Sequence, residues 1–599
     1  MSKWYNSNSL SSSTLVFLLA SVQFTTAQHH SMVDEPVPLF NASGDEPMSY
    51  ALFPDNKGYF YTHVILMTIA FWILMPIGIM LGIAKSSLHI PVQLGSLCFA
   101  MGGFFFAKLY GHSTPHLYKG NSHHILGWIL FLFMITQMSV GIVRKIANAV
   151  GKRTASYEQI HQEDHLDYPA SPTSFIDPCS SSSSNSHSSD RHSEASGETL
   201  HMNELTDFND KSYHSKDSRQ SSNSTAAHTI YDVDLDDESL IENSHLASDN
   251  MPKSTDLGFI MRLFYSVSPY IPSIVKNIFV TLAYNRFTTD VCRYFHLIMG
   301  RAFIILIFVQ TLSGLVVYHG VCRSWEVLGC IAHLIKGGIF FFYGIMTFGR
   351  YLGAFANKGW AWNYIENGSR FSFEMIESCL IFTYGITNTW MEHFGQDSRW
   401  THKDLEHASL AFMWWWCGLI GIMVESRAVR RLLERTILTN TNTTQNSSKS
   451  YSLNPFPALT VLMTGISMGN HHQDTLYSSN IHYMWGILLA SAACCRFVTY
   501  LFLYRNAPTD AQPSRPPSEL LGAFLLIAGS ILFMASNSGT LLWLRRNNVD
   551  SMFLMNVCVA LTAITLCYVA ALQIIKAWAE RREAFKQGER NQQNMEQQR

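Results

Sequence analysis

Apolar residues in this chain gather into runs about as long as a bilayer is thick, with polar residues collected between them. A helix needs roughly 20 apolar residues to cross the hydrocarbon core, and the first runs of that length begin at His63, His89, His123 and His296. They cover about 63–84, 89–110, 123–143 and 296–318. Seven more apolar stretches follow at about 325–349, 372–390, 405–424, 455–469, 480–503, 518–543 and 551–577. Lipid offers backbone amides no partner, so each run must close its hydrogen bonds within a helix. The pattern predicts an all-α polytopic membrane protein of about 11 transmembrane helices, a four-helix bundle followed by a seven-span C-terminal helical domain. Only Lys85–Leu88 separates the first two runs, which makes them antiparallel neighbours.

The polar stretches divide the chain further. Residues 1–27 combine a short apolar run with Thr25-Thr26-Ala27 and read as a secretory signal peptide. Residues 28–60 follow as a short lumenal segment carrying the glycosylation acceptor Asn41-Ala42-Ser43. Residues 61–146 hold spans one to three, and Arg144, Lys145, Lys152 and Arg153 after them mark the cytosolic side. From 147 to 257 Ser, His, Asp and Glu dominate. Such a segment cannot bury enough apolar surface to offset its chain entropy and is expected to be a disordered cytosolic loop. Residues 258–320 join an interfacial segment to span four, 321–578 make the seven-span domain, and 579–599 form a polar cytosolic tail. Arg545 and Arg546 fall on the lumenal side and oppose this count. The expected location is a membrane of the secretory pathway (plasma, vacuolar or endosomal), with the N-terminus lumenal or extracellular and the C-terminus cytosolic.

Composition narrows the partners. Charged residues make up 14% of the 599 positions, against about 25% in soluble domains. The net charge of -2 gives no nucleic-acid footprint, and the partner implied is the lipid bilayer. The eleven cysteines lack Cys-x-x-Cys spacing. Cys322 and Cys330 flank a short loop and would join if it were lumenal, although Cys330 sits at the membrane entry, which weighs against the bond.

Histidine carries the candidate chemistry. An ionisable side chain at membrane depth is costly without a partner. Consecutive spans alternate in direction, so His63 and His123 share one face while His89 and His296 share the other. Two imidazoles at matched depth on facing helices are what six-coordinate haem b requires, and two such pairs would form an electron path through the bilayer. His123-x-x-x-Gly127 and His296-x-x-x-Gly300 place a glycine one turn along the same helix face. That clears room for a flat macrocycle, or for ordinary helix contact. His124, about 100° round the helix, competes with His123, and an interfacial polar role is the alternative for all four.

These residues resemble a known pattern. Spans one to four resemble the core of the cytochrome b561 superfamily through His63 with Pro76-x-Gly78, His89, His123 with Gly127, and His296 with Gly300. The resemblance implies a b561-like bundle holding two b-type haems, with His63 and His123 on the lumenal side and His89 and His296 on the cytosolic side. The whole chain resembles the fungal Ytp family of multi-spanning membrane proteins. The insertion between spans three and four departs from the b561 pattern, yet closing a long loop costs little extra entropy. No redox domain is attached, so the resemblance names neither donor nor acceptor. Lys85 and Arg301 on the cytosolic side, and Lys108 and Lys119 on the lumenal side, are placed to neutralise propionates or draw in an anionic cytosolic donor such as ascorbate, with positive-inside orientation and snorkelling as the alternative, which is the better account of Lys85. Arg301, inside span four, calls for a buried anionic partner.

A second cluster falls on the lumenal face: His393, His402, Glu406, His407, His471, His472 and His482. His402 and Glu406 share a helix face, and the set suits a transition-metal ion, as electron acceptor or as transported substrate. Ordinary polar loops are the competing account. His333, Glu374 and Glu377 lie within spans, where acids point to a proton or ion path unless Arg370 pairs locally with Glu374. No phosphate-binding loop, dinucleotide fingerprint, nucleophile triad or zinc-protease motif occurs. Three functions remain. The first is transmembrane electron transfer by a b561-type oxidoreductase, from a cytosolic donor to a lumenal or extracellular acceptor such as ferric or cupric ion. The second is transport of metal ions or protons by the C-terminal spans, and the third a non-catalytic scaffold regulated through the Ser-rich loop.

Overall fold

The computed structural model describes residues 49–118, 120–141, 143, 286–323, 326–365, 369, 371–391, 400–437 and 453–599. The expected signal peptide, Asn41, the Ser-rich loop, most of the interfacial segment, Lys119, Arg370 and His393 lie outside them.

The described residues form helices and no strand. The first four are α1 (Lys57–Ile83), α2 (His89–Ser113), α3 (Ser122–Gly141) and α4 (Arg286–His319). There follow α5 (Glu326–Leu352), α6 (Phe373–Met391), α7 (His402–Glu425), the short α8 (Arg427–Ile437), α9 (Phe456–Gly469) and α10 (Leu476–Arg505). The last are α11 (Pro517–Ala535), α12 (Ser538–Arg546) and α13 (Ser551–Gln598). Among the described residues nine helices are long and apolar enough to cross a membrane, while α9 has 14 residues. The tenth expected span stops at Ala535 and turns into α12, and α13 runs on unbroken through the polar tail.

Helix α1 contains one irregularity with an identifiable cause. Pro76 has no N–H to offer the carbonyl of Trp72 one turn back, and the helix widens into a π segment over Ile69–Leu74. The Tyr568 hydroxyl on α13 donates to the Trp72 carbonyl at 2.7 Å, satisfying in apolar surroundings an acceptor the helix cannot.

Helices α1 to α4 share one core, built from Ala70, Met75, Ala100, Met134, Phe303 and Ile307. A second core, around Trp485, Leu489, Leu532 and Phe533, joins α5, α10 and α11 with their neighbours. Phe308 of α4 stacks on Phe341 of α5, ring centres 5.1 Å apart, and connects the two cores. Helix α13 returns to the first bundle: Ala579 packs on Leu81 and Ala84, and Ser86 Oγ donates to Glu583 at 3.0 Å.

Neighbouring helices alternate in direction. One end of the bundle gathers the starts of α1, α3, α5, α7, α10 and α13 (the first face), and the other gathers the starts of α2, α4, α6, α9 and α11 (the second face). On the first face Cys322 and Cys330 are disulfide-bonded, Cα atoms 5.8 Å apart. This departs from the sequence expectation, because a left-handed turn at Cys322 (φ 61°) folds the chain back beside the second turn of α5. The Tyr118 hydroxyl donates to the carbonyls of Val321 (3.0 Å) and Cys322 (2.7 Å), and Arg323 lies 4.3 Å over its ring. Burial pushes that hydroxyl's pKa up from its ordinary value. Arg546 of α12 faces Glu326 on the same face, so a carboxylate accompanies the basic pair that opposed the topology. The disulfide closes a loop of 8 residues, so Cys322→Ser is expected to cost about 2–3 kcal/mol. Thiol labelling under denaturing conditions checks the bond: both cysteines should be labelled only after reduction.

Candidate functional site

The four span-opening histidines turn inward. On the first face His63 Nδ1 donates to the carbonyl of Gly103 at 2.8 Å, and His123 Nδ1 to Ser313 Oγ at 3.0 Å. The two histidines are near neighbours. On the second face His89 Nδ1 donates to the carbonyl of Gly78 at 2.6 Å, and His296 Nδ1 approaches that of Gln137 at 3.3 Å. The rings of His89 and His296 stand at 88° with centres 6.4 Å apart. Between the two pairs lies the apolar core of the first bundle.

Helices α3 and α4 build these positions by the same rule. His123, Gly127, Gln137 and Gly141 repeat as His296, Gly300, Gln310 and Gly314, with spacings of four, ten and four residues in both helices. The helices run antiparallel, so each pair of elements meets its counterpart. Gln310 Nε2 donates to the His123 carbonyl at 2.9 Å and comes within 3.5 Å of His123 Nε2. Gln137 Nε2 donates to the His296 carbonyl at 2.7 Å. A Cβ on Gly314 would lie 3.0 Å from the His123 ring, one on Gly141 3.1 Å from the His296 ring, and one on Gly82 2.8 Å from the His89 ring.

This corrects the reading of Gly127 and Gly300. The space beside each is taken by a glutamine amide, Gln310 or Gln137 at 3.2 Å, and it is Gly141 and Gly314 that lie against the histidine rings. His124 points outward, its Nε2 3.3 Å from Lys108, so His123 is the inward histidine. Lys108 also lies over the Trp128 ring at 4.6 Å. Arg301 is exposed on α4 rather than buried against an anion, since about 100° of helix separates it from the inward Gly300.

The second cluster is gathered only in part. The His407 and His471 rings are 5.6 Å apart, His471 and His482 5.3 Å, and His482 meets His333 at 6.1 Å, forming a row of imidazoles from α7 to α5. His402 and Glu406 pair with each other at 3.4 Å on the exposed rim, and His472 is exposed. Among the described residues no group of three or more ligands is arranged to hold a metal ion. Gln473 takes up the His471 ring and Ser478 that of His482.

On the second face five buried charges of the C-terminal domain meet in one cluster. Arg350 Nη2 meets Glu374 Oε1 at 3.3 Å, and Arg350 Nη1 meets Glu377 Oε1 at 3.8 Å. Arg496 Nη1 reaches the same Glu377 oxygen at 3.4 Å, while its Nε lies 2.7 Å from Glu519 Oε1. All five residues are 1–6% exposed. Trp362 covers them, its ring 4.1 Å from the Arg350 guanidinium and 5.6 Å from that of Arg496. Its loop is tied down by Asn363 Nδ2 donating to the Ala511 carbonyl at 2.8 Å and by Ser514 Oγ donating to the carbonyl of Trp362.

Comparison with known proteins places this arrangement. Residues 306–577 match the family model described as protein YTP1-like, C-terminal, and residues 44–147 match a domain of unknown function, DUF2427. An uncharacterized membrane protein of Schizosaccharomyces pombe is 34% identical over 90% of this chain and 99% of its own length. The chain belongs to the fungal Ytp family of membrane proteins. Within the family, an uncharacterized membrane protein of Saccharomyces cerevisiae is 26% identical over 87% of this chain and 83% of its own. Protein YTP1 of the same yeast is 25% identical over 39% of this chain and 44% of its own. No solved structure matches. The two matches divide the first bundle: α1 to α3 lie in the DUF2427 match, and Gln310 and Gly314 of α4 in the YTP1-like match, with His296 and Gly300 between them.

Sequence reasoning named Glu374 and Glu377 but missed Arg350, Arg496 and Glu519. A periodic signal for them exists: each is a charge within the first or last turns of an apolar helix on one face. Their meeting depends on which helices are neighbours, which periodicity does not encode.

Proposed function

We propose that this Ytp-family protein carries electrons across a membrane through two b-type haems, one held by His63 and His123 and the other by His89 and His296. The observation that carries the reading is the placement of the His89 and His296 rings, 6.4 Å between centres. Two imidazoles bound on opposite sides of one metal, each at about 2.0–2.1 Å plus about 1.1 Å to the ring centre, would stand about 6.3 Å apart. Metal-ligating histidines donate their other nitrogen to a fixed acceptor. Here carbonyls of Gly103 and Gly78 and the Ser313 hydroxyl accept from Nδ1, orienting each ring. The glycines beneath the rings let neighbouring helices approach closely enough to hold them. Bound haem would supply one-electron exchange at fixed ligation. The protein's own residues keep the ring pairs at two depths and exclude water from the apolar layer between them.

In this reading the chain crosses about 11 times, with the first face lumenal and the C-terminus cytosolic. The disulfide supports an oxidising compartment on the first face. Arg581, Arg582, Lys586 and Arg590 on the far end of α13 support a cytosolic second face. The donor would be a cytosolic small molecule such as ascorbate, and the acceptor a lumenal metal ion. A second reading, transport by the C-terminal spans, is favoured by the buried charges on the second face.

Purified protein expressed with adequate haem supply is expected to show b-type bands in a dithionite-reduced minus oxidised spectrum. His296→Ala should remove about half of the signal, and His123→Ala the other half. No bands in folded protein, or bands untouched by either substitution, would leave transport as the better account.

A further inference from the structure

Among the described residues the five buried charges do not balance. Three carboxylates, Glu374, Glu377 and Glu519, face two guanidinium groups, Arg350 and Arg496, inside an apolar helix domain. A net charge at that depth is costly, and an ionisable group so placed takes up a proton rather than remain uncompensated. We propose that this cluster is a proton-binding site, with one exchangeable proton held on Glu377.

The geometry singles out Glu377 among the three. Glu374 lies in the first turn of α6 and Glu519 in the first turn of α11, where the helix dipole stabilises a negative charge. Glu377 lies one turn deeper in α6, beyond that influence. Glu519 has Arg496 Nε at 2.7 Å, and Glu374 has Arg350 Nη2 at 3.3 Å. Glu377 shares both arginines at 3.4 and 3.8 Å, through one oxygen only. Its other oxygen, Oε2, is buried without a hydrogen-bond partner, as are Arg350 Nη1 and the Tyr500 hydroxyl beside it.

The titratable and charged groups that face Glu377 among the described residues come from four helices. Tyr343 and Arg350 come from α5, Glu374 from its own helix, Arg496 and Tyr500 from α10, and Glu519 from α11. Glu425 at the end of α7 is turned instead to Ser372 and Arg430. The adjoining cavity, lined by Tyr343, Thr347, Arg496 and Glu519, has a volume of about 10 Å³, room for a single water. The Arg496 guanidinium at its wall makes it a poor seat for a metal cation and leaves a proton as the fitting positive charge.

The site is independent of the histidine pairs, so loss of the haem reading would leave it standing. It is tested on the full-length protein in a maltoside detergent by infrared difference spectroscopy. The carbonyl stretch of a protonated carboxylic acid should be present at neutral pH, shift in heavy water and fade as the pH is raised. Glu377→Gln should abolish the pH-sensitive band, and Glu374→Gln and Glu519→Gln, which leave two carboxylates for two guanidinium groups, should move its loss to lower pH. Where Glu377→Gln does not fold, Glu377→Asp should shift the band. No acid band in the wild-type protein, a band unchanged by both Glu377 substitutions, or a band that fades at the wild-type pH in Glu374→Gln and Glu519→Gln would overturn the proposal.

Discussion

Replacing Arg496 by leucine is expected to cost about 3–5 kcal/mol, the range for removing one partner from a buried ion pair. The guanidinium serves Glu377 and Glu519 together, and its Nη2 also donates to Thr347 Oγ1 at 3.4 Å. Loss of that one side chain leaves Glu374, Glu377 and Glu519 in an apolar site with Arg350 as the only remaining cation among the five. Arg496→Lys should fall between, since an ammonium on a flexible stem cannot present a rigid fork to two carboxylates at once. The double variant Arg496→Leu with Glu519→Leu should recover much of the loss, because removing both charges also removes the desolvation penalty. Thermal unfolding followed by size-exclusion chromatography separates these cases. A midpoint for Arg496→Leu equal to that of the wild type would show that the charges are solvated and not buried as described.

The second large effect is expected where α6 meets α7. A Cβ on Gly385 would lie 2.7 Å from Trp415 Cα, and one on Gly418 2.6 Å from Phe382 Cα. The two glycines therefore permit a reciprocal backbone contact, the small-residue packing that lipid-embedded helices depend on in place of a hydrophobic driving force. The obstacle is backbone, which a rotamer change cannot clear, so Gly418→Val should force the helices apart. Overpacking costs about 1–3 kcal/mol in ordinary cores and more where the backbone must move. Helix α6 carries Glu374 and Glu377, so displacement should also loosen the charge cluster. Folded yield and unfolding midpoint are the measurements, and a Gly418→Val protein as stable as the wild type would rule out this close approach.

Much of the fold was legible because lipid imposes length and period on every crossing. The starts at His89 and His402 and the tight connection at Lys85–Leu88 agree with the structure to within a few residues. The inward histidines were legible too, but half of their repeat was not used: Gln137-x-x-x-Gly141 and Gln310-x-x-x-Gly314 stand ten residues beyond the glycines that were noticed. An apolar stretch ending in glutamine and glycine reads as generic span until it is laid antiparallel to its partner. The ion cluster was less accessible still. Arg350 and Glu519 are 169 positions apart by their numbers, and only the packing of α5 and α10 on α11 brings them together. The Cys322–Cys330 bond turned on a single left-handed residue, which sequence spacing does not fix.

The hydrogen bond from Tyr568 to the Trp72 carbonyl has a consequence for biosynthesis. The two residues are 496 positions apart, and at about 5–20 residues per second the ribosome needs about 25–100 s to supply the second after the first. Throughout that interval the opening helix sits in the bilayer with a polar atom awaiting its donor. The final helix is thus a late-arriving clasp, and the earliest part of the molecule reaches its finished form only when nearly the whole chain has been made.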